Sequence, residues 1–222
     1  PYAAPVVVAP KKDESGAWTA LRYAIDYRGL NERTITVQYP CPTAEDIMSQ
    51  LDGAALYTVM DAQKAFHQLE VSDKPTGPDG LSAQDRLSFH AGKRLMTFKR
   101  MPFGHKNSVA AWQRVVDDAL VGLDFAAAFA DDIIVWSGPD EKEHIQRVRQ
   151  VLDRLKAKRV QISPLKTRLG LKRAAFLGHV VSAKGVEPQM DKVAAIAELA
   201  PCKNAAEVRA FIGMATYYCK FL

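Results

Sequence analysis

Residues 125 to 136, FAAAFADDIIVW, constrain this chain more than any other stretch. Two short apolar runs, Phe125 to Ala130 and Ile133 to Trp136, have only Asp131-Asp132 between them. Runs of this length read as buried strands, and so short a connection makes them a hairpin with carboxylates at its turn. Asp is a poor strand residue, and neighbouring like charges disfavour each other's ionised form. Packing alone gives no reason to keep the pair there. The same oddity recurs upstream, where Ala54 to Met60 reads as a buried strand ending at Asp61. Asp117-Asp118 is the contrast: it lies in Ser108 to Leu120, whose helical spacing of Val109, Trp112, Val116 and Leu120 lets the pair face water.

Three carboxylates can be crowded where divalent cations neutralise them. Oxygen donors without His or Cys fit magnesium rather than zinc, and magnesium typically combines one or two carboxylates with substrate phosphates. Two such ions, ~3.5 to 4 Å apart, activate an attacking hydroxyl and stabilise a leaving phosphate oxygen. These residues therefore point to phosphoryl transfer. The competing reading is structural: Asp61 caps a helix start and Asp131-Asp132 makes a tight hairpin turn.

The 222 residues are enough for one large domain or two or three subdomains sharing a core. Val6 to Ala9 and Trp18 to Tyr27 flank the polar turn Lys11 to Gly16 as a β-hairpin with a basic tip. Thr43 and Asp46 predict a capped helix over Ala44 to Leu51, and 72 to 82, dense in turn formers, reads as an exposed loop. Leu87 to Phe89 and Leu95 to Lys99 are expected as strands across the turn Ala91-Gly92-Lys93. A helix from Asp140, capped by Asp140 and Glu143, should bury Ile145, Val148, Leu152 and Leu155. Ala174 to Val181 reads as a strand broken at Gly178. Two helices close the chain, Asp191 to Leu199 and Asn204 to Tyr217, the latter with Asn204 as cap and Glu207 as its partner. Mixed α+β with antiparallel hairpins is the architecture this implies.

Charge divides the chain. Residues 1 to 139 carry 14 Lys and Arg against 17 Asp and Glu, whereas 140 to 222 carry 16 against 8. From Arg154 to Arg173 there are eight basic residues and no acidic one, which points either to a polyanion partner or to a solvated helix face. Cys41, Cys202 and Cys219 form no C-x-x-C pair and the five His no H-E-x-x-H spacing, so neither a disulfide framework nor a structural zinc is signalled. No run has the ~18 to 20 apolar residues of a membrane span, nor does the start look like a signal peptide. With Pro1 first, the chain reads as a segment of something longer.

The strings APVVVAPKKD (4 to 13), RYAIDYRGLN (22 to 31), DAQKAFHQ (61 to 68), FKRMPFGHKNSVAAWQR (98 to 114), FADDIIVWS (129 to 137), FLGHVVSAKG (176 to 185) and FIGMATYYCKFL at the end resemble the reverse transcriptase of long-terminal-repeat retroelements, the gypsy class above all. The motifs keep the family's order and approximate spacing across essentially the whole chain. The resemblance implies an α+β right-hand polymerase fold, with fingers and the start of the palm in 1–60 and 68–100, palm in 61–67 and 101–175, and a primer-grip hairpin with a partial thumb in 176–222. It implies an RNA-directed DNA polymerase that extends a primer with dNTPs on an RNA or DNA template. Two Mg²⁺ ions, with Mn²⁺ as a substitute, would serve it, in a cytoplasmic setting, a virus-like particle or the nucleus, and not as a secreted or membrane protein. Oligomeric state is left open.

The resemblance also distributes roles. Asp61, Asp131 and Asp132 match the family's catalytic and metal-binding carboxylates, Phe129 standing where Tyr is usual. Lys166 matches a lysine that protonates departing pyrophosphate. Phe66 matches a steric gate that excludes a 2′-hydroxyl. Arg22, with Lys11 or Lys12 as a second cation and Lys11 favoured, matches the triphosphate clamp. Asp26, Arg28 and Asn31 match scaffold and template contacts, and Phe103 with Gly104 a dNTP contact. Gln113, Arg114, Phe129, Leu177, Gly178, Lys156, Lys158 and Arg159 match primer and template contacts.

Three departures stand out: residues 74 to 83 look like an insertion, Asn107-Ser108-Val109 replaces N-A-P, and His105-Lys106 replaces an apolar and Cys pair. The alternatives are a catalytically silent, nucleic-acid-binding retroelement remnant and an RNA-dependent RNA polymerase, the latter opposed by Phe66.

Overall fold

Strand pairing follows the apolar runs in the computed structural model, which describes residues 2–12, 18–76, 78–199 and 201–221. In chain order the elements are β1 (Val6–Lys12), β2 (Trp18–Ile25), α1 (Arg28–Arg33), α2 (Ala44–Gln50), β3 (Leu56–Asp61), a 3-10 turn (Ala65–Gln68), α3 (Ala83–Arg86), β4 (Phe89–Ala91), β5 (Arg94–Met96) and α4 (Ser108–Leu120). They continue as β6 (Ala126–Phe129), β7 (Asp132–Ser137), α5 (Glu141–Ala157), β8 (Arg168–Leu171), β9 (Arg173–Phe176), β10 (His179–Ser182), β11 (Gly185–Pro188), α6 (Met190–Ala197), α7 (Ala205–Tyr218) and a 3-10 turn (Cys219–Phe221). Two compact units form, one of residues 1–41, 62–119 and 155–161, the other of 42–61, 120–154 and 162–222. Residues 42 to 60 join the second unit because β3 pairs with β7 and β8.

The second unit is built on a four-stranded antiparallel sheet in the order β6-β7-β3-β8. Side chains alternate along β3, so Tyr57 and Val59 share one face. They meet Ile47, Met48 and Leu51 of α2 and, from the three-stranded sheet β11-β10-β9, Ala174, Phe176 and Val181. Thr43 and Asp46 close the capping box that starts α2, at 3.1 and 2.8 Å, an arrangement worth about 1 kcal/mol. On the other face of β3, Thr58 Oγ1 lies 2.8 Å from one ring nitrogen of His144 in α5, and Ser137 Oγ lies 2.9 Å from the other. A neutral imidazole donates on one nitrogen and accepts on the other, so both hydroxyls are satisfied. Burial holds the ring's pKa below its ordinary 6.5, with Arg147 adding to the effect.

That histidine corrects the expected stripe of α5. Ile145 is exposed at 53%, while His144, Val148, Val151 and Leu155 are buried. The buried spacing of four, three and four is still helical, but the face is rotated because His144 can enter the core once both nitrogens have partners. Glu143 does not complete a capping box either: the Asp140 carboxylate accepts from the Lys142 N–H, and Glu143 pairs with Arg147. Ala174 to Val181 is two strands, joined by the two-residue turn Leu177-Gly178. The final helices are as expected within a residue or two, and Asn204 Oδ1 accepts from the Glu207 N–H at 3.0 Å.

In the first unit β1 and β2 form the expected hairpin, whose tip, 13 to 17, lies outside the described residues. Tyr27, Val71 and Leu87 form one buried cluster of this unit, and the Tyr27 hydroxyl donates to the Leu87 carbonyl. The strands expected at 87–89 and 95–99 are instead Phe89–Ala91 and Arg94–Met96, because Ser82 and Asp85 close a second capping box and start α3. In the 72 to 82 loop, residues 72–76 and 78–80 are exposed and Leu81 is half-buried, with a Pro75–Ser82 bridge and an Asp79–Arg86 ion pair folding the described residues back on themselves. Among the described residues no helix is long and apolar enough to cross a membrane.

Candidate active site

β3 delivers Asp61 as its last residue and β7 begins with Asp132, and the two stand directly opposite each other in the ladder. Asp131 occupies the turn between β6 and β7, next to Ala130 at φ +49°. Asp61 and the Asp131-Asp132 pair, seventy residues apart in sequence, thus lie at the same end of one sheet. The Asp61 carbonyl accepts from the Ser163 N–H at 2.8 Å, which anchors the segment 163 to 167 beside β3. From there Lys166 Nζ donates to Asp61 Oδ2 at 3.0 Å.

The site is short of positive charge. Burial first, then the Asp61 charge, raises the pKa of Asp131, and Lys166 offsets part of this. Asp132 is raised in the same way, with Asp131 as a further repulsive neighbour. Asp131 Oδ1 is buried and has no hydrogen-bond partner among the described residues. A buried, orphaned carboxylate oxygen costs roughly 1–3 kcal/mol or more, so some group outside the described side chains is needed to satisfy it. An all-oxygen donor set with an unsatisfied buried oxygen fits a hard divalent cation. Among the described residues no group of three His, Cys, Asp or Glu is arranged as a ready-made metal cage.

Residues 9–181 match the family model described as reverse transcriptase (RNA-dependent DNA polymerase). The chain belongs to the reverse transcriptase family. Its relatives include the Pol polyproteins of the Drosophila melanogaster transposons 297, 34% identical, and gypsy, 31% identical, each over 100% of this chain. It spans only 20% and 21% of those polyproteins. Among solved structures, a foamy viral protease-reverse transcriptase in complex with double-stranded DNA superposes with a TM-score of 0.80 at 21% identity, over 97% of this chain and 36% of that one. The same kind of enzyme with an RNA/DNA hybrid gives 0.77 at 20% identity, over 97% and 27%. The expected α+β polymerase fold is therefore the fold of this reverse transcriptase family member.

Three further candidates, Phe129, Leu177 and Gly178, lie in the second unit with the carboxylates. Phe129, opposite Asp132, is half-buried against the core cluster. Leu177 and Gly178 form the β9–β10 turn at φ +45° and +71°, the signs of a type I′ hairpin. Of the basic run, Lys166, Arg168, Lys172 and Arg173 belong to this unit, and Arg173 pairs with Glu187.

The first unit holds the residues expected at the nucleotide. Phe66 is half-buried, and its ring meets Phe103 edge-on with centroids 5.0 Å apart. Phe103 borders a cavity of about 480 Å³ with Tyr23, Ala24, Ile25, His67, Phe98, Pro102 and Gly104. Gly104 adopts φ +84°, a conformation that strains any side-chain-bearing residue. Asn31 staples this turn: its Nδ2 donates to the Gly104 carbonyl, and its Oδ1 accepts from the Lys106 N–H, each at 2.8 Å. In the β1–β2 ladder Arg22 stands opposite Ala9, and Lys11 opposite Ala20.

Gln113 is 1% exposed and donates to Asp117, so its amide serves the scaffold, whereas Arg114 is exposed. Lys158 pairs with Asp118, while Lys156 and Arg159 are exposed. Asp118 is exposed, as expected of a solvated residue, with the ammonium of Lys158 holding it below the usual carboxylate range, whereas Asp117 is half-buried and accepts from the Tyr39 hydroxyl. Sequence reasoning missed His67, whose ring abuts Phe103 at 5.0 Å, and the C-terminal tyrosines, whose hydroxyls reach the β9–β10 turn. Adjacent aromatics in AFHQ were the available signal for the first; nothing local marked the second.

Proposed function

We propose that this chain is the polymerase portion of a retroelement Pol polyprotein and extends a primer with dNTPs on an RNA or DNA template. The observation that carries the reading is the register that sets Asp61 across from Asp132, with Asp131 in the adjoining turn and Lys166 on Asp61. Asp61 and Asp131 would hold two Mg²⁺ ions, Asp132 adding charge behind them, and Mn²⁺ could replace them. Such ions supply charge neutralisation at the reacting phosphate and make a hydroxyl a better nucleophile.

The chain's own residues do the rest. The carboxylates fix where positive charge collects, so the primer 3′-hydroxyl and the α-phosphorus are brought in line, and positioning accounts for much of the rate. Lys166, 67% exposed and hydrogen-bonded to Asp61, is a proton source for the departing pyrophosphate. Phe66, braced by Phe103, fills the space a 2′-hydroxyl would need. Arg22 and Lys11 bind the triphosphate, and the exposed cations of 154 to 173 track the duplex backbone without reading sequence. The bound nucleic acids of the foamy viral structures support such a partner.

The test is primer extension on an RNA template with Mg²⁺ and dNTPs, wild type beside Asp131→Asn. A loss of about 100-fold or more is expected, the scale for removing one preorganised charge-stabilising group. Extension by neither protein overturns the reading in favour of a silent nucleic-acid-binding remnant, and equal extension by both overturns the carboxylate site as the seat of the chemistry. Phe66→Val should admit rNTPs; unchanged sugar selectivity would remove the gate assignment.

A further inference from the structure

The β9–β10 turn shows an asymmetry between its acceptors and its donors. The Leu177 carbonyl accepts from the Tyr217 hydroxyl at 2.6 Å and lies 2.8 Å from His179 Nδ1. The Gly178 carbonyl accepts from the Tyr218 hydroxyl at 3.1 Å and from the Gln189 N–H at 3.2 Å. Both carbonyls are therefore capped. The N–H groups of the same two residues have no partner among the described residues.

Packing fixes the caps in place. The His179 ring is buried and lies 5.1, 5.8 and 5.6 Å from the rings of Tyr217, Tyr218 and Phe221. A Cβ on Gly178 would come within 3.0 Å of the Tyr218 hydroxyl oxygen, so the tyrosine closes down on the turn as far as glycine permits. With the electronegative oxygens covered and two backbone donors left over, the turn has the polarity of an anion contact.

We propose that Tyr217 and Tyr218 are positioning residues that lock the Leu177-Gly178 turn in a donor-outward form fit for a phosphate of the primer strand. The inference rests on the polymerase reading for the identity of that phosphate. The lock itself does not depend on it. Each hydroxyl is removed without loss of the ring in Tyr217→Phe and Tyr218→Phe, and the double variant removes both.

Three measurements on the wild type and these variants decide it. Amide exchange across residues 173 to 182 should quicken in each variant, and most in the double. The Kd for a primer–template duplex, by fluorescence anisotropy, should rise by about 2- to 10-fold for each hydroxyl, the range for one net hydrogen bond. In extension assays the loss should fall on the KM for primer–template rather than on kcat. Unchanged exchange, or a lower melting temperature with unchanged Kd, overturns the proposal by reducing the tyrosines to ordinary packing. An inactive wild type in which the variants still loosen the turn and weaken duplex binding leaves the lock standing and overturns only the catalytic reading.

Discussion

Two tight turns in the same unit, Ala130-Asp131 and Leu177-Gly178, are built alike and finished in opposite ways. Each joins its strands through two residues, and each begins with a non-glycine residue at positive φ, Ala130 at +49° and Leu177 at +45°. Such residues cost about 1–2 kcal/mol each. At Leu177-Gly178 tyrosine hydroxyls cap both carbonyls, and the two N–H groups are what is left over. Beside Ala130, the Asp131 carboxylate keeps a buried oxygen with no hydrogen-bond partner among the described residues, and both aspartates are pushed toward protonation. Backbone strain alone thus says little about function. The sign of the unmet demand beside the strain, excess negative charge at one turn and spare backbone donors at the other, is what tells the two apart.

Asp132→Asn should break this contrast most visibly. Extension activity is expected to fall about 100-fold or more, while the melting temperature in EDTA at neutral pH rises, because a repulsive charge has been removed. A fall in melting temperature would mean that the aspartate is held by contacts worth more than the repulsion.

Gly178→Ala acts on the other turn. With φ at +71° and its Cβ 3.0 Å from the Tyr218 hydroxyl oxygen, it should cost about 1–2 kcal/mol in denaturant unfolding. Tyr218→Phe in the same chain should return only the part due to the contact.

pH supplies a third test. The folded-state pKa values of Asp131 and Asp132 lie above the ordinary 3.8, so the folded form binds more protons there, and stability from this pair falls as pH rises from about 4 toward their raised values. His144 has the opposite sign. Its pKa is depressed when folded, so stability is lost as pH drops below about 6.5. Unfolding midpoints in EDTA should therefore bend downward on the acid side of 6.5, and His144→Gln should flatten that bend.

Ala130→Gly gives the smallest effect. Relief of the positive φ against the added freedom of the unfolded chain leaves a gain of about 0.5–1 kcal/mol. No gain would mean that the turn is shaped by its neighbours rather than strained.

The carboxylate site was legible in the sequence because Asp is out of place at the end of an apolar strand and inside an apolar hairpin, and because pairing, a local property, then brings the three together. Capping at Thr43 and Asn204 was legible for the same local reason. The face of α5 was misjudged by one residue, since a histidine enters a core only when two hydroxyls from separate strands await it, and no window along the helix contains them. The tyrosine caps are forty residues from the carbonyls they serve. Apolar rings at helical spacing predict packing, and only coordinates show where their hydroxyls end.

The pairing of Asp61 with Asp132 carries one more consequence. Neighbouring positions on a strand look to opposite sides, so inserting or deleting a single residue in β3 ahead of Asp61 would aim its carboxylate away from its companions while leaving the amino-acid composition almost untouched. The hydrogen-bonded ladder is a ruler graduated in single residues, and chemistry at its end tolerates changes of side chain along its length far better than a change of count.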